Sequence, residues 1–164
     1  MRTKLFVVLF AVLFVAGIVF AGGNANKAEK RAFNYVATFV EPLDAGSVTY
    51  SGKMVHLRGV MNSWFHDGSD ERISGAFINV LNANVDFTGT GVIWGTWQSS
   101  DEGDGGWEGT FNGKMYNYFL GESNWIIRYD GHGTGAYEGL KIEGIEAWDT
   151  LGYGVGEITS VTKD

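Results

Sequence analysis

Apolar and polar positions along this chain alternate with a period of two, and no long window keeps the 3.6-residue period of a helix. The stretch "FNYVATFV" puts Phe33, Tyr35, Ala37 and Phe39 on one face. "KMVHLRGVM" sets Met54, His56, Arg58 and Val60 against Val55, Leu57, Gly59 and Met61. "SGAFINVLN", "TGTGVIWGTWQ", "GWEGTFNGKM", "NWIIRYD", "GAYEGLKIEG" and "GEITSVT" continue the series, giving about eight candidate strands. Turn-rich pieces such as "HDGSDE", "SSDEGDGG" and "LGYG" separate them. Short, regularly spaced strands with glycine turns predict an all-β fold, a sandwich or a small closed antiparallel barrel.

Glycine recurs inside the strands as well as between them. In "GHGTGAYEGLKIEG", an extended backbone puts Gly131, Gly133, Gly135, Tyr137 and Gly139 on one face, with His132, Thr134, Ala136, Glu138 and Leu140 on the other. Gly89, Gly91, Ile93, Gly95 and Trp97 share a face in the same way, as do Trp107, Gly109, Phe111 and Gly113. Glycine weakens a strand interior, so this repetition needs a geometric reason: it permits the coiling of a small barrel, with aromatic rings covering the bare backbone. A phosphate loop does not account for it. The dinucleotide fingerprint requires glycine where Glu138 stands, and no helix pattern follows. "WEGTFNG" and "YEGLKIEG" resemble each other and suggest two equivalent coiled strands.

The beginning of the chain has a different pattern. Arg2 and Lys4 precede an unbroken apolar run, Leu5–Ala21, which ends in small residues before "GGNANKAEKR". This is the layout of a secretory signal peptide over residues 1–21, with cleavage as late as residue 25 as a second choice. An uncleaved anchor is the rival reading. The expected mature protein is exported, to the periplasm or beyond, with a flexible segment 22–32 and a single domain over 33–164. That length suffices for a core of its own. There is no cysteine, so disulfides, thiol chemistry and cysteine–zinc sites are excluded. Formal charge is −7, and losing Arg2 and Lys4 takes it to −9. Without a basic cluster, neither nucleic acid nor an anionic membrane surface is an expected partner.

"GVIWGTW", "GGWEGTFNG" and "GHGTGAYEGLKIEG" together resemble the glycine-punctuated strands of the allene oxide cyclase barrel-like group, which includes plant dirigent proteins and small bacterial proteins of unknown role. The resemblance covers roughly the last half of the mature chain. It implies an eight-stranded antiparallel barrel whose cavity holds an elongated apolar molecule, and enzymes that act by confining the substrate's conformation. None of the group's functional residues maps onto a position here. The strand 53–61 and the turns at 62–72 lie outside it.

Few residues offer chemistry. His56, His66 and His132 lack any tight metal-ligand spacing, so no metal site and no organic cofactor is expected. In "VHLRG", His56 and Arg58 share a strand face; pointing inward they would offer a carboxylate-bearing ligand an imidazole and a guanidinium. The competing reading is a solvent face, because arginine is seldom buried unpaired. Glu108 and Glu138 follow aromatic residues in similar contexts, and brought together they would suit acid–base work. On a wet outer face they would do nothing. Asp101, Glu102 and Asp104 form a glycine-rich acidic turn without the EF-hand spacing. Trp64 and Phe65, in "NSWFHDGSDE", read as aromatics in a polar loop, either a binding rim or a plug over a barrel end. The expected function is therefore an exported barrel holding a small apolar or amphipathic molecule, with Trp94, Trp107 and Tyr137 joining His56, Arg58, Trp64 and Phe65 around it. The alternatives are a cyclase or isomerase of the same architecture, using Glu108, Glu138 and His56, and a carbohydrate-binding module. That last class requires Trp64, Trp97, Trp107 or Trp125 to lie coplanar on an open face.

Overall fold

The computed structural model describes residues 29–99, 105–120 and 124–161. The expected signal peptide, most of the segment after it, and Asp101, Glu102 and Asp104 lie outside the described residues. Nine antiparallel strands form one sheet: β1 (Lys30–Asp44), β2 (Ser47–Ser51), β3 (Met54–Gly68), β4 (Gly75–Asp86), β5 (Gly91–Ser99), β6 (Gly105–Tyr116), β7 (Asn124–Gly135), β8 (Leu140–Trp148) and β9 (Gly152–Ser160). From β2 to β9 neighbours in sequence pair with one another, and β9 returns to β1. The sheet then closes on itself, because β1 also pairs with β3 from Tyr35↔Gly68 to Asp44↔Met61. Eight strands make the ring. The short β2 continues along the same edge of β3, opposite Met54–Arg58. Gly46, at φ 61°, turns the chain between β1 and β2 where a side chain would strike the Arg58 carbonyl.

Closure is strongly sheared. From Ala37 the ladder runs through Gly152, Trp148, Trp125, Met115, Gly91 and Val85 to Val55, whereas the direct partner of Ala37 on β3 is His66. Shear of this kind tilts the strands, and an eight-strand ring has an interior just wide enough for side chains to fill.

The face of alternating glycine and aromatic residues is the inner one. One row reads Phe33, Gly156, Gly144, Tyr129, Phe111, Gly95 and Leu81 across adjacent strands. Its large residues are buried. Each glycine leaves room for a neighbouring ring: a methyl at Gly95 would meet the Phe111 ring, and one at Gly156 would meet Phe33. Small and large residues thus interdigitate instead of colliding.

Three local expectations change. Residues 131–144 are two strands: β7 ends at Gly135, Ala136–Gly139 turn, and β8 starts at Leu140. Positive φ at Gly135 and Gly139 makes that turn, so these glycines serve the hairpin and not a strand face. "NSWFHDG" belongs to β3, which runs unbroken to Gly68. A bulge between Leu57 and Val60, with Gly59 at φ 69°, shifts the inward parity so that Val60 and Trp64 follow Val55 and Leu57 into the core. Beyond β3, a 3-10 turn at Glu71–Ile73 buries Ile73 against Gly68. Asp70 caps it, gripping Arg72 (2.7 Å) and Arg31 (3.0 Å), while the Trp107 indole donates to the Arg72 carbonyl (2.7 Å).

Candidate functional site

The inward rows enclose a cavity of about 70 Å³ lined chiefly by aromatic and aliphatic side chains. Tyr35 of β1 and Tyr129 of β7 face each other across it, ring centroids 6.2 Å apart, and Trp97 of β5 meets Tyr129 edge-on at 6.1 Å. Trp125 stacks on Trp148 at 5.0 Å, and Trp64 packs edge-to-face against both. Among the described residues the buried indole Nε1 of Trp64 finds no hydrogen-bond acceptor.

Into this apolar lining β8 delivers a carboxyl. Ile142, Gly144, Glu146 and Trp148 alternate inward, and Glu146 is 8% exposed. Its Oε2 accepts a hydrogen bond from the Tyr35 hydroxyl (2.8 Å) and its Oε1 one from Trp125 Nε1 (3.2 Å). Among the described residues no cation pairs with it. Burial raises its pKa, and the two hydrogen bonds only partly oppose that, since charge in a low-dielectric interior is costly without a counter-ion. Burial next to this carboxyl also lifts the Tyr35 hydroxyl far above its ordinary range, and Tyr129 is raised mainly by burial. His66 lines the same cavity, its ring sandwiched between Tyr35 (4.4 Å) and Phe77 (4.1 Å). Desolvation lowers its pKa to about 3, so it is neutral at physiological pH.

The anticipated residues are divided between the two faces. Trp64 and Trp107 are buried inside, and Tyr137 covers Trp107 at 5.4 Å from the β7–β8 turn. Phe65 points outward, half exposed. His56 and Arg58 lie on the outer face, on the stretch of β3 that pairs with β2, since Val55 and Leu57 take the inward positions. There His56 Nδ1 lies 2.7 Å from Asn84 Oδ1, and Arg58 donates to the same oxygen and to the Leu57 and Ala83 carbonyls. The Arg58 guanidinium sits 5.0 Å from the centre of the Trp94 ring, so Trp94 is outside as well. This group fastens the bulge; it does not face the interior. Glu108 and Glu138 are not brought together. Glu108 is an exposed outer residue paired with His132 (3.0 Å), and Glu138 sits in the β7–β8 turn.

A larger concavity, about 1010 Å³, extends over the outward-facing residues from Met61 of β3 through β4–β8 to Thr159 of β9 and Lys30 of β1, and includes Gly109, Gly131, Glu108, His132, Asp130 and Lys141 in its lining. It is open and mixed in charge, and its ionic groups are solvated. The smaller interior cavity combines apolar walls with convergent, desolvated polar groups, and so is the stronger candidate for recognition. Trp64, Trp107 and Trp125 all face inward, which leaves no open tryptophan platform made from them.

Sequence reasoning missed Glu146, Tyr35 and His66 as a polar set. The alternation Ile142–Gly144–Glu146–Trp148 was the available signal, continuing two steps past the apparent end of "GAYEGLKIEG". No family model, curated protein or solved structure matches this chain.

Proposed function

We propose that the protein is an exported β-barrel that binds a small apolar or amphipathic molecule inside its ring of strands. The observation that carries this reading is the interior cavity itself, walled by aromatic rings and holding Glu146, Tyr35, Tyr129 and neutral His66 around one space. Apolar walls with a few placed polar groups are the usual composition of a ligand site. The leader-like start of the chain supports export, and the glycine-punctuated strands support the barrel architecture of the group the sequence resembles. At about 70 Å³ the cavity is under half of the roughly 150 Å³ that admits benzene in a well-studied engineered case. It therefore selects compact ligands, or a compact part of one. Conformational catalysis of the cyclase type is the second reading, favoured only by the buried Glu146, which would be its acid or base.

Native mass spectrometry of protein purified from an exporting host, before and after organic extraction, tests the proposal. A discrete extractable adduct, with tryptophan emission that responds when it is restored, is the expected result. A bare mass, and interior tryptophans indifferent to a panel of small neutral apolar compounds, would refute it.

A further inference from the structure

Glu146 is a carboxyl placed among aromatic rings with no basic side chain among the described residues to answer it. Another carboxylate of this chain is treated differently: Asp70, as little exposed as Glu146 but close to the surface, holds two arginines. The donors around Glu146 are already committed. Tyr35 and Trp125 each give their proton to one of its oxygens, and the Tyr129 hydroxyl is directed at the Val155 carbonyl (3.4 Å). Each carboxylate oxygen accepts more than one hydrogen bond, so Glu146 keeps acceptor capacity and gains no positive charge, while the one buried indole N–H left over, that of Trp64, makes no bond to it. The walls beside it are the π-systems of Tyr35, Trp125 and Tyr129, whose faces attract cations, most strongly where water is excluded.

We infer that the interior site selects a compact alkylammonium ion, with Glu146 as its counter-charge and hydrogen-bond acceptor and the rings of Tyr35, Trp125 and Tyr129 as its walls. This rests on the reading of the interior as the ligand site, and it names the ligand class. The cavity volume suits an ammonium head and a short alkyl group. A neutral alcohol is the natural rival, since it would take the free indole N–H of Trp64 and leave Glu146 without a counter-ion.

The probes are propylammonium, 1-propanol and propionate, which match in size and differ in charge. Binding is read by calorimetry and by the indole NMR signals of Trp64 and Trp125. Propylammonium is expected to shift those signals and to bind at least about tenfold more tightly than 1-propanol, with propionate silent. Glu146→Gln keeps acceptor and shape, and should weaken the amine about 30-fold while leaving the alcohol unchanged. A pH series on the unaltered protein gives the same answer should that variant fail to fold. The groups facing Glu146 are Tyr35 from β1, Tyr129 and Trp125 from β7, and His66 from β3; β9 presents only Gly152 and Gly154. Both tyrosines stay protonated and His66 stays neutral, so Glu146 alone titrates, and amine affinity should climb as pH rises from 5 while alcohol affinity stays flat. Equal binding of amine and alcohol, indifference to Glu146→Gln, or a flat pH profile for the amine would overturn the ammonium assignment and leave the interior-site reading in place. Should none of the probes, nor any neutral apolar compound, move the interior indoles, both readings fall.

Discussion

Gly154→Ala tests whether the inward glycines are seats for aromatic rings. Gly154 lies on β9 between Tyr35 of β1 and Glu146 of β8, and its φ is not in the left-handed region, so the backbone accepts alanine. The added methyl, however, would occupy the space of the Tyr35 ring and hydroxyl. Overpacking of this sort costs about 1–3 kcal/mol. Displacing the ring also sacrifices the 2.8 Å bond to Glu146, worth about 1.5–3 kcal/mol if the carboxyl is charged. Alanine's smaller unfolded-state entropy returns about 0.4–1 kcal/mol. The net loss should be about 3 kcal/mol, or roughly 10 °C in Tm for a domain of this size. Urea unfolding followed by tryptophan emission measures it. Tyr35→Ala, at about 3–5 kcal/mol, removes the obstacle, and in that background Gly154→Ala should be neutral or slightly stabilising. A coupling of about 2 kcal/mol or more follows. If Gly154→Ala stays within about 0.5 kcal/mol of the parent, or the two changes add, the packing argument is wrong.

Three other expectations are simpler to check. His66 and Glu146 set opposing pH slopes. Stability from neutral, buried His66 is complete above its unfolded value of 6.5 and is lost at up to about 1.4 kcal/mol per pH unit as pH falls toward 3. Stability from protonated Glu146 is complete below 4.5 and is lost as pH rises through its elevated folded value. Thermal melts between pH 4.5 and 6.5 should therefore show His66→Phe tilting stability downward with rising pH and Glu146→Gln tilting it upward; identical profiles would contradict this. Asp70→Asn should cost about 2–3 kcal/mol at pH 7 by leaving Arg72 and Arg31 without their carboxylate. Arg72 holds the Asp70 pKa below 3.8, so the deficit should shrink only as pH drops beneath that value, as acid titration followed by circular dichroism would show. Arg58→Ala should lower stability by about 1–2 kcal/mol through the lost carbonyl bonds and the Trp94 contact, with interior ligand binding unchanged in the same calorimetric assay.

The sheet was legible because its signal is local. Period-two alternation in "TGTGVIWGTWQ" and "GWEGTFNGKM" predicted β5 and β6 and the set of residues sharing each face, though not which face turned inward. What the alternation hid were the places where parity changes. The bulge at Arg58–Gly59 reverses the inward set within one strand, which is how polar-looking "NSWFHDG" carries Trp64 and His66 inside. The turn at Ala136–Gly139 does the same between strands, so the resemblance of "WEG" to "YEG" paired a strand glutamate with a turn glutamate. β2, five residues long and fully exposed, has no apolar rhythm to announce it. The Glu146 site is non-local: Tyr35 and Glu146 are 111 residues apart, and only closure of the ring gives the carboxyl its surroundings.

Closure has a further consequence, for how such a chain can change over generations. In an open sheet an edge strand that gains a residue slides along one neighbour. Here each of the eight strands of the ring has a partner on both sides, so a slip in any of them must be matched by all the others or the circle fails to meet at β1 and β3. Insertions and deletions are thereby tolerated best at the hairpin ends or at bulges, and a change elsewhere in the wall is best made by substitution. Extra residues within the wall sit where β1 and β3 meet: β1 shifts register between Phe39 and Glu41 and between Pro42 and Asp44, and the β3 bulge at Arg58–Gly59 is held by Asn82 and Asn84 just where β3 passes from β1 to β2.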